Sequence, residues 1–216
     1  MRILLATKIL SETQKKSFEH SDFQIIQHDF ITIKHSATLP QITGDILLFT
    51  SQNAVRSVLK SQMLPHLKSI PTVCVGEKTA KLLKENGWKV LFFKPYAADL
   101  AVEILQKIGH RKITFFCGNL RRDTLPDFFN KHNLAFEEIQ VYQTHYTPEA
   151  ISEKVYGILF FSPSEVKSYL LKNSITTQIL FCIGTTTAQE AQKHSLKVVI
   201  ADSPTVESVI AKCLEY

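Results

Sequence analysis

The sequence predicts an α/β protein of two similar domains, each a parallel sheet covered by helices, joined by two antiparallel strands. Three observations predict it. Short β-rich runs alternate with amphipathic stretches along all 216 residues. The runs are almost continuously apolar, as expected of parallel strands buried on both faces. Two blocks also recur in the same order. FTSQNAVRSVL (Phe49–Leu59) aligns with FFSPSEVKSYL (Phe160–Leu170), Ser51 falling on Ser162 111 residues later. VCVGEKTAKLLKENGWKV (Val73–Val90) aligns with FCIGTTTAQEAQKHSLKV (Phe181–Val198), Gly76 falling on Gly184 108 residues later. General βα similarity is the alternative, but it does not account for two blocks at nearly one offset.

Taken in order, the strands are Arg2–Ala6, Phe23–Gln27, Asp45–Phe49, Thr72–Val75 and Lys89–Phe92, then Ile113–Phe116, Phe136–Val141, Gly157–Phe161, Ile179–Ile183 and Lys197–Ile200. Helical spacing of apolar residues marks AVRSVLKSQ, TAKLLKENG, ADLAVEILQKIG and LPDFFNKHN between the earlier strands. It marks EVKSYLLKN, TAQEAQKH and VESVIAKCLEY between and after the later ones. DFITIKHSAT, about residues 29–38, and EIQVYQTHYT, about 138–147, alternate in strand fashion at the two edges of the first copy. Read as linker strands, they leave residues 1–34 plus 146–216 as one discontinuous domain and residues 38–140 as the other.

Composition narrows the function. Twenty-five Lys and Arg against 20 Asp and Glu give +5, a balance that suits an anionic ligand but is too mild and too evenly spread to argue for nucleic acid. With only seven glycines and no GxGxxG or GxxxxGK[ST], a nucleotide-dependent enzyme lacks its usual phosphate cradle. No GxSxG, HExxH or Cys–His arrangement occurs, and the eight histidines are scattered without ligand spacing. The opening MRILLATKIL lacks the apolar run of about 7–15 residues of a secretory signal, and no stretch approaches the ~20 apolar residues of a membrane span. A cytoplasmic protein without a metal is expected. Cys74, Cys117, Cys182 and Cys213 form no CxxC pair and read as small buried hydrophobes.

What remains is the carboxyl edge of the parallel sheets, where helix starts expose unpaired N–H groups suited to carboxylate or phosphate. Ser162-Pro163-Ser164-Glu165 reads as a capping box with Pro at the first helical position. Ser51, Thr79 or Gly76, Asn119, Thr185–Thr187 and Ser203–Thr205 are further cap positions. Each cap alone serves helix stability. Several of them facing one cleft between the domains also make a site for a polyanion. CGNLRRD puts Arg121 and Arg122 in a first helical turn, where the dipole disfavours cations and an anionic ligand would compensate; two solvated arginines are the alternative. Tyr142, at the end of a strand in VYQT, is either half-buried packing or a weak general acid.

Together these motifs resemble the uroporphyrinogen-III synthase family. The resemblance rests on FTSQNAV (Phe49–Val55), VGEKTA (Val75–Ala80), CGNLRRDTLP (Cys117–Pro126) and VYQT (Val141–Thr144), followed by FFSPSEV (Phe160–Val166), IGTTTA (Ile183–Ala188) and SPTVESV (Ser203–Val209). The departures are a short, polar first helix and no proline near Asp29. The resemblance implies two flavodoxin-like domains joined by a two-stranded antiparallel linker, and a reaction without a cofactor. Hydroxymethylbilane, a linear tetrapyrrole with eight carboxylates, would lose water and close with inversion of ring D. Tyr142 would be the proton donor to the leaving hydroxyl. Thr50, Ser51, Thr79, Gly118, Asn119, Arg121, Ser162, Ser164, Thr186 and Thr187 would contact substrate. A monomer is implied, in transient contact with the synthase that makes hydroxymethylbilane, with domain closure part of turnover. The rival reading is a non-catalytic ligand-binding or sensor protein on the same fold. Such proteins often carry a phospho-acceptor Asp where these strand ends carry Ser, Thr or Gly.

Overall fold

The structure is a computed structural model and describes residues 1–36 and 38–216. Ala37, inside the expected linker strand 29–38, lies outside the described residues. In chain order the first half forms β1 (Arg2–Ala6), α1 (Glu12–Lys16), β2 (Phe23–Gln27), β3 (Ile31–His35), β4 (Ile46–Phe49), α2 (Gln52–Val58), α3 (Leu64–Ser69), β5 (Thr72–Val75), α4 (Glu77–Glu85) and β6 (Val90–Lys94). The rest forms α5 (Ala97–Ile108), β7 (Ile113–Gly118), α6 (Thr124–Lys131), β8 (Phe136–Tyr146), β9 (Gly157–Phe160), α7 (Pro163–Leu170), β10 (Ile179–Cys182), α8 (Thr185–Ala191), β11 (Val198–Ile200) and α9 (Val206–Leu214). These residues divide into two compact units, 1–32 with 145–216, and 33–144.

Unit 1 is a parallel sheet in the order β11-β10-β9-β1-β2. In chain order this is the flavodoxin-like 2-1-3-4-5 arrangement. In the second sheet β6-β5-β4-β7-β8 are parallel and β3 lies outside β8. β3 runs antiparallel to β8: Ser36 N donates to Val141 O and Thr147 N to Phe30 O, both at 2.9 Å. Started from β9, unit 1 has the 3-2-1-4-5 order that unit 2 has when started from β4. The sequence repeat has this physical meaning: β4, β5 and β6 correspond to β9, β10 and β11, and β7 and β8 to β1 and β2.

Alternation along each strand divides its side chains between two faces. In unit 2, Leu47, Phe49, Cys74 and Phe116 pack beneath α2 and α4 with Val55, Leu83 and Trp88. Ile46, Leu48, Val73 and Phe115 pack on the other side with Leu100, Ile104 and Phe129 of α5 and α6. Unit 1 repeats the plan, with Leu5, Ile158, Phe160 and Leu180 on one face and Leu4, Leu159 and Phe181 on the other. Each such side chain contributes roughly 1.5–3 kcal/mol of burial free energy. The four cysteines are buried and unpaired. Burial pushes the Cys74 and Cys182 thiols up to about 12 and Cys117 up to about 11, so none is a ready thiolate.

Three local features go beyond the sequence reading. The run after Phe136 is one strand to Tyr146, so the outer parallel strand and the returning linker strand are the same element. α1 carries a reciprocal capping box: Gln14 N donates to Ser11 Oγ, and Gln14 Oε1 accepts from Ser11 N. α3, a single short helix with Pro65 in its first turn, interrupts what reads as a connection.

Candidate functional site

In sheets of this order, ligands bind beyond the carboxyl ends of the strands where the strand order reverses. In unit 2 that point lies between β4 and β7. β4 ends in Thr50 and Ser51, both partly exposed. Ser51 is the N-cap of α2, with extended backbone and its Oγ accepting from Asn53 N at 3.0 Å. β7 ends in Gly118, which pairs with Tyr142 of β8 just after a register shift at Cys117. The shift matters because a Cβ on Gly118 would fall within the Tyr142 ring, with Tyr142 Cζ, Cε2 and Oη its nearest atoms. The missing side chain is the space the phenol ring occupies.

The ring also packs on the core beside β4, where the Ser51 hydroxyl acts on the phenol. Burial raises the Tyr142 hydroxyl above its ordinary value, the Ser51 hydrogen bond partly offsets this, and Cys117 adds to the rise. The group is therefore protonated at neutral pH and available as a donor. Asn119 is exposed and caps no helix. Its Nδ2 donates to Thr144 O at 3.1 Å and its Oδ1 accepts from Thr144 N at 2.7 Å, stapling the β7 turn to the strand that carries Tyr142.

Arg121 corrects the sequence reading. α6 begins at Thr124, after an Asp123 N-cap, so Arg121 and Arg122 precede the helix and meet no unfavourable dipole. Arg121 instead pairs through Nε with Glu138 and through a terminal nitrogen with Asp123, both at 2.5 Å. Those two hydrogen bonds raise its pKa further. With its charge already matched by two carboxylates, Arg121→Ala should lower kcat/KM by no more than about fivefold, the equivalent of the ~1 kcal/mol or less that an exposed pair contributes. A tenfold loss that grows at low salt would instead show a direct contact with an anionic substrate.

Thr79 lies one strand over, on the third residue of α4, buried, with its N–H donating to Gly76 O at 3.2 Å. Gly76 caps that helix at φ 85, in the left-handed region that glycine occupies without strain. α2 and α4 pack against each other. Ser51, Gly118 and Tyr142 are thus in direct contact, Asn119 joins them through β8, and Thr79 stands on the neighbouring helix start.

Unit 1 has its own reversal, between β9 and β1. Ser162 caps α7 with extended backbone, its Oγ accepting from Glu165 N at 3.2 Å, and Pro163 opens the helix. The reciprocal half of the expected box is weak, the Ser162 N–H being the least of the groups that act on the Glu165 carboxyl. Glu165 Oε2 turns to Phe161 N, at 2.6 Å, and to Thr7 Oγ1, at 2.9 Å. Ser164 is half-buried in the first turn of α7. On the adjacent helix start Gly184 is the cap of α8; Thr186 is exposed, and Thr187 is buried with its N–H donating to Gly184 O at 3.1 Å. α7 and α8 pack together as α2 and α4 do.

The sequence reading did not single out Thr7, which meets Glu165 at the strand-order reversal, and gave Glu165 only a capping role. Thr7 ends β1 as Gly118 ends β7, so a polar residue closing an apolar strand, in RILLAT, was the available signal. Among the described residues no group of three His, Cys, Asp or Glu side chains is placed to hold a metal. Among the same residues no helix is long and apolar enough to cross a membrane.

Comparison with known proteins bears on the fold and the family. A family model described as uroporphyrinogen-III synthase HemD matches residues 13–211. A curated relative, the porphyrin biosynthesis protein HemD of Ruminiclostridium josui, is 29% identical over 189 residues, covering 78% of this chain. The chain spans 37% of that relative's length. Uroporphyrinogen-III synthetase from Helicobacter pylori superposes with a TM-score of 0.73 at 21% identity, covering 100% of this chain and 99% of that one. A mutant uroporphyrinogen III synthase from Thermus thermophilus gives 0.72 at 13% identity, covering 100% and 98%. At those identities the superpositions speak for the fold, two units of parallel α/β sheet with one antiparallel pair. The family match extends over nearly the whole sequence, and on that ground the chain belongs to the uroporphyrinogen-III synthase HemD family.

Proposed function

We propose that this protein converts hydroxymethylbilane to uroporphyrinogen III, with loss of water and inversion of ring D. Family membership supports the reaction class, and one observation carries the assignment to residues. Tyr142 presents a protonated phenol at the β4/β7 reversal, packed on the core beside β4 and admitted by the bare backbone of Gly118. The phenol gives its proton to the terminal hydroxyl of the bilane, the C–O bond breaks, and water leaves an electrophilic azafulvene. The substituted carbon of ring D attacks it to form a spiro-pyrrolenine, which fragments and recloses as the III isomer. The proton lost on final ring closure balances the one given up at the start.

Because the pyrrole nitrogen already pushes the hydroxyl out, a weak acid suffices. The protein's larger task is to hold ring D in a pose that the free bilane rarely adopts, a contribution of position rather than of nucleophilicity. Thr50, Ser51, Thr79, Gly118 and Asn119 in unit 2, and Ser162, Ser164, Thr186 and Thr187 in unit 1, are the proposed substrate contacts, through hydroxyls and the N–H groups of the turns. Arg121 is a weaker candidate because its charge is matched. The net charge of +5 favours capture of a polycarboxylate.

A cytoplasmic monomer completes the reading, with transient contact to the enzyme that makes hydroxymethylbilane; the four unpaired buried cysteines fit a reducing compartment. The experiment supplies hydroxymethylbilane, oxidises the products and separates the isomers. Isomer III, formed faster than spontaneous closure, is expected. Isomer I alone, at the spontaneous rate, rejects the proposal.

A further inference from the structure

Glu165 is a buried ionisable group that the reaction above does not use. It is 4% exposed and sits at the strand-order reversal of unit 1, between the ends of β9 and β1. Thr7, fully buried, stands within hydrogen-bond distance of two acceptors: Leu159 O at 2.8 Å and Glu165 Oε2 at 2.9 Å. A hydroxyl has one hydrogen, so Thr7 cannot donate to both. If the carboxyl is neutral, its O–H donates to Thr7 Oγ1 and Thr7 donates to Leu159 O. If it is ionised, Thr7 turns to donate to Oε2, and Leu159 O keeps the bond from Thr7 N, at 3.1 Å. The two states differ by one proton and one hydroxyl rotation.

Lys8, one residue beyond Thr7, is the charged side chain among the described residues that acts on Glu165. It favours ionisation, as do the Phe161 and Ser162 N–H groups and Thr7. Burial opposes all of them and wins, moving the carboxyl up to about 7.

We propose that Glu165 is a protonation-linked positioning residue for the substrate. The tie between the Thr7 and Ser162 turns persists in both states; neutral, Glu165 leaves the start of α7 free of buried negative charge, the state that receives a substrate carboxylate. Ionised, it places a negative charge beneath the start of α7 and weakens that binding. Coupling is reciprocal, so substrate binding draws a proton onto Glu165. The proposal rests on the reading of Ser162 as a substrate contact.

The test measures kcat and KM for the wild type and Glu165→Gln between about pH 6 and about pH 9. Wild-type KM should rise about fivefold, with a midpoint near the Glu165 value of about 7 and little change in kcat. Glu165→Gln should hold the low-pH KM throughout. A flat wild-type KM, or the same rise in the Gln variant, overturns the proposal. Should the Gln variant fail to fold, Thr7→Val decides. It removes a bond that favours ionisation, so the KM midpoint should move upward, and an unmoved midpoint overturns the proposal. A flat profile from an enzyme that makes isomer III sinks this inference alone, whereas the absence of isomer III at every pH sinks the functional reading beneath it.

Stability provides a second readout. A carboxyl raised from 4.5 to about 7 on folding adds stability that is fully present below 4.5 and lost as pH rises through about 7. The stability of the wild type relative to Glu165→Gln should fall across that window, because the other titrating groups, such as His35, act alike in both proteins.

Discussion

Tyr142→Phe should lower kcat by about a hundredfold, the lower end of what a positioned proton donor contributes, while KM and the thermal midpoint should change little. The ring remains, with its packing on the β4 face of the core and its seat over Gly118, so the fold has no reason to respond. Only the phenol O–H is lost. Ser51 loses one partner, but it is partly exposed and still caps α2 through Asn53 N, so water can take the vacant bond. Steady-state kinetics paired with thermal denaturation checks both halves. Full activity in the Phe variant would leave Tyr142 a packing residue and would require the proton to come from elsewhere.

Gly118→Ala should be more damaging, and in a different way. One methyl group at Gly118 clashes with the Tyr142 ring, because all three nearest atoms belong to that side chain, so the phenol cannot keep its seat. Either the ring swings away from Ser51 or β7 separates from β8. Overpacking of this kind typically costs 1–3 kcal/mol. The variant should unfold several degrees lower and lose turnover to at least the extent of Tyr142→Phe. The double variant should lose little more activity than either single change, since both remove the same donor. Additive losses in kcat would show that Gly118 serves the reaction by another route.

Much of the fold is legible in the residues because its determinants are local. Continuous apolar runs such as ILLF and GILF, bounded by polar turns and alternating with helical stretches, read as doubly buried strands, and the recurrence of Ser51 at Ser162 exposes the repeat. The two domains follow from these, and so do the helix starts at their strand ends. What stays hidden depends on partners far away in the chain. Arg121 reads as a free cation in CGNLRRD because Glu138, 17 residues on, is not yet beside it. Glu165 reads as a capping residue because SPSE is a local pattern, while Thr7, 158 positions away, draws its carboxylate elsewhere. The seat of Tyr142 over Gly118 is invisible for the same reason: the register of β7 and β8, and the shift at Cys117, exist only once the sheet has formed.

The isomer composition of the product, measured while enzyme is titrated into a fixed amount of hydroxymethylbilane, tests the central claim most directly. If the protein holds ring D for inversion, the isomer III fraction rises with enzyme until spontaneous closure is outrun, and Gly118→Ala needs far more enzyme to reach the same fraction. A product that stays isomer I at every enzyme concentration would contradict the account.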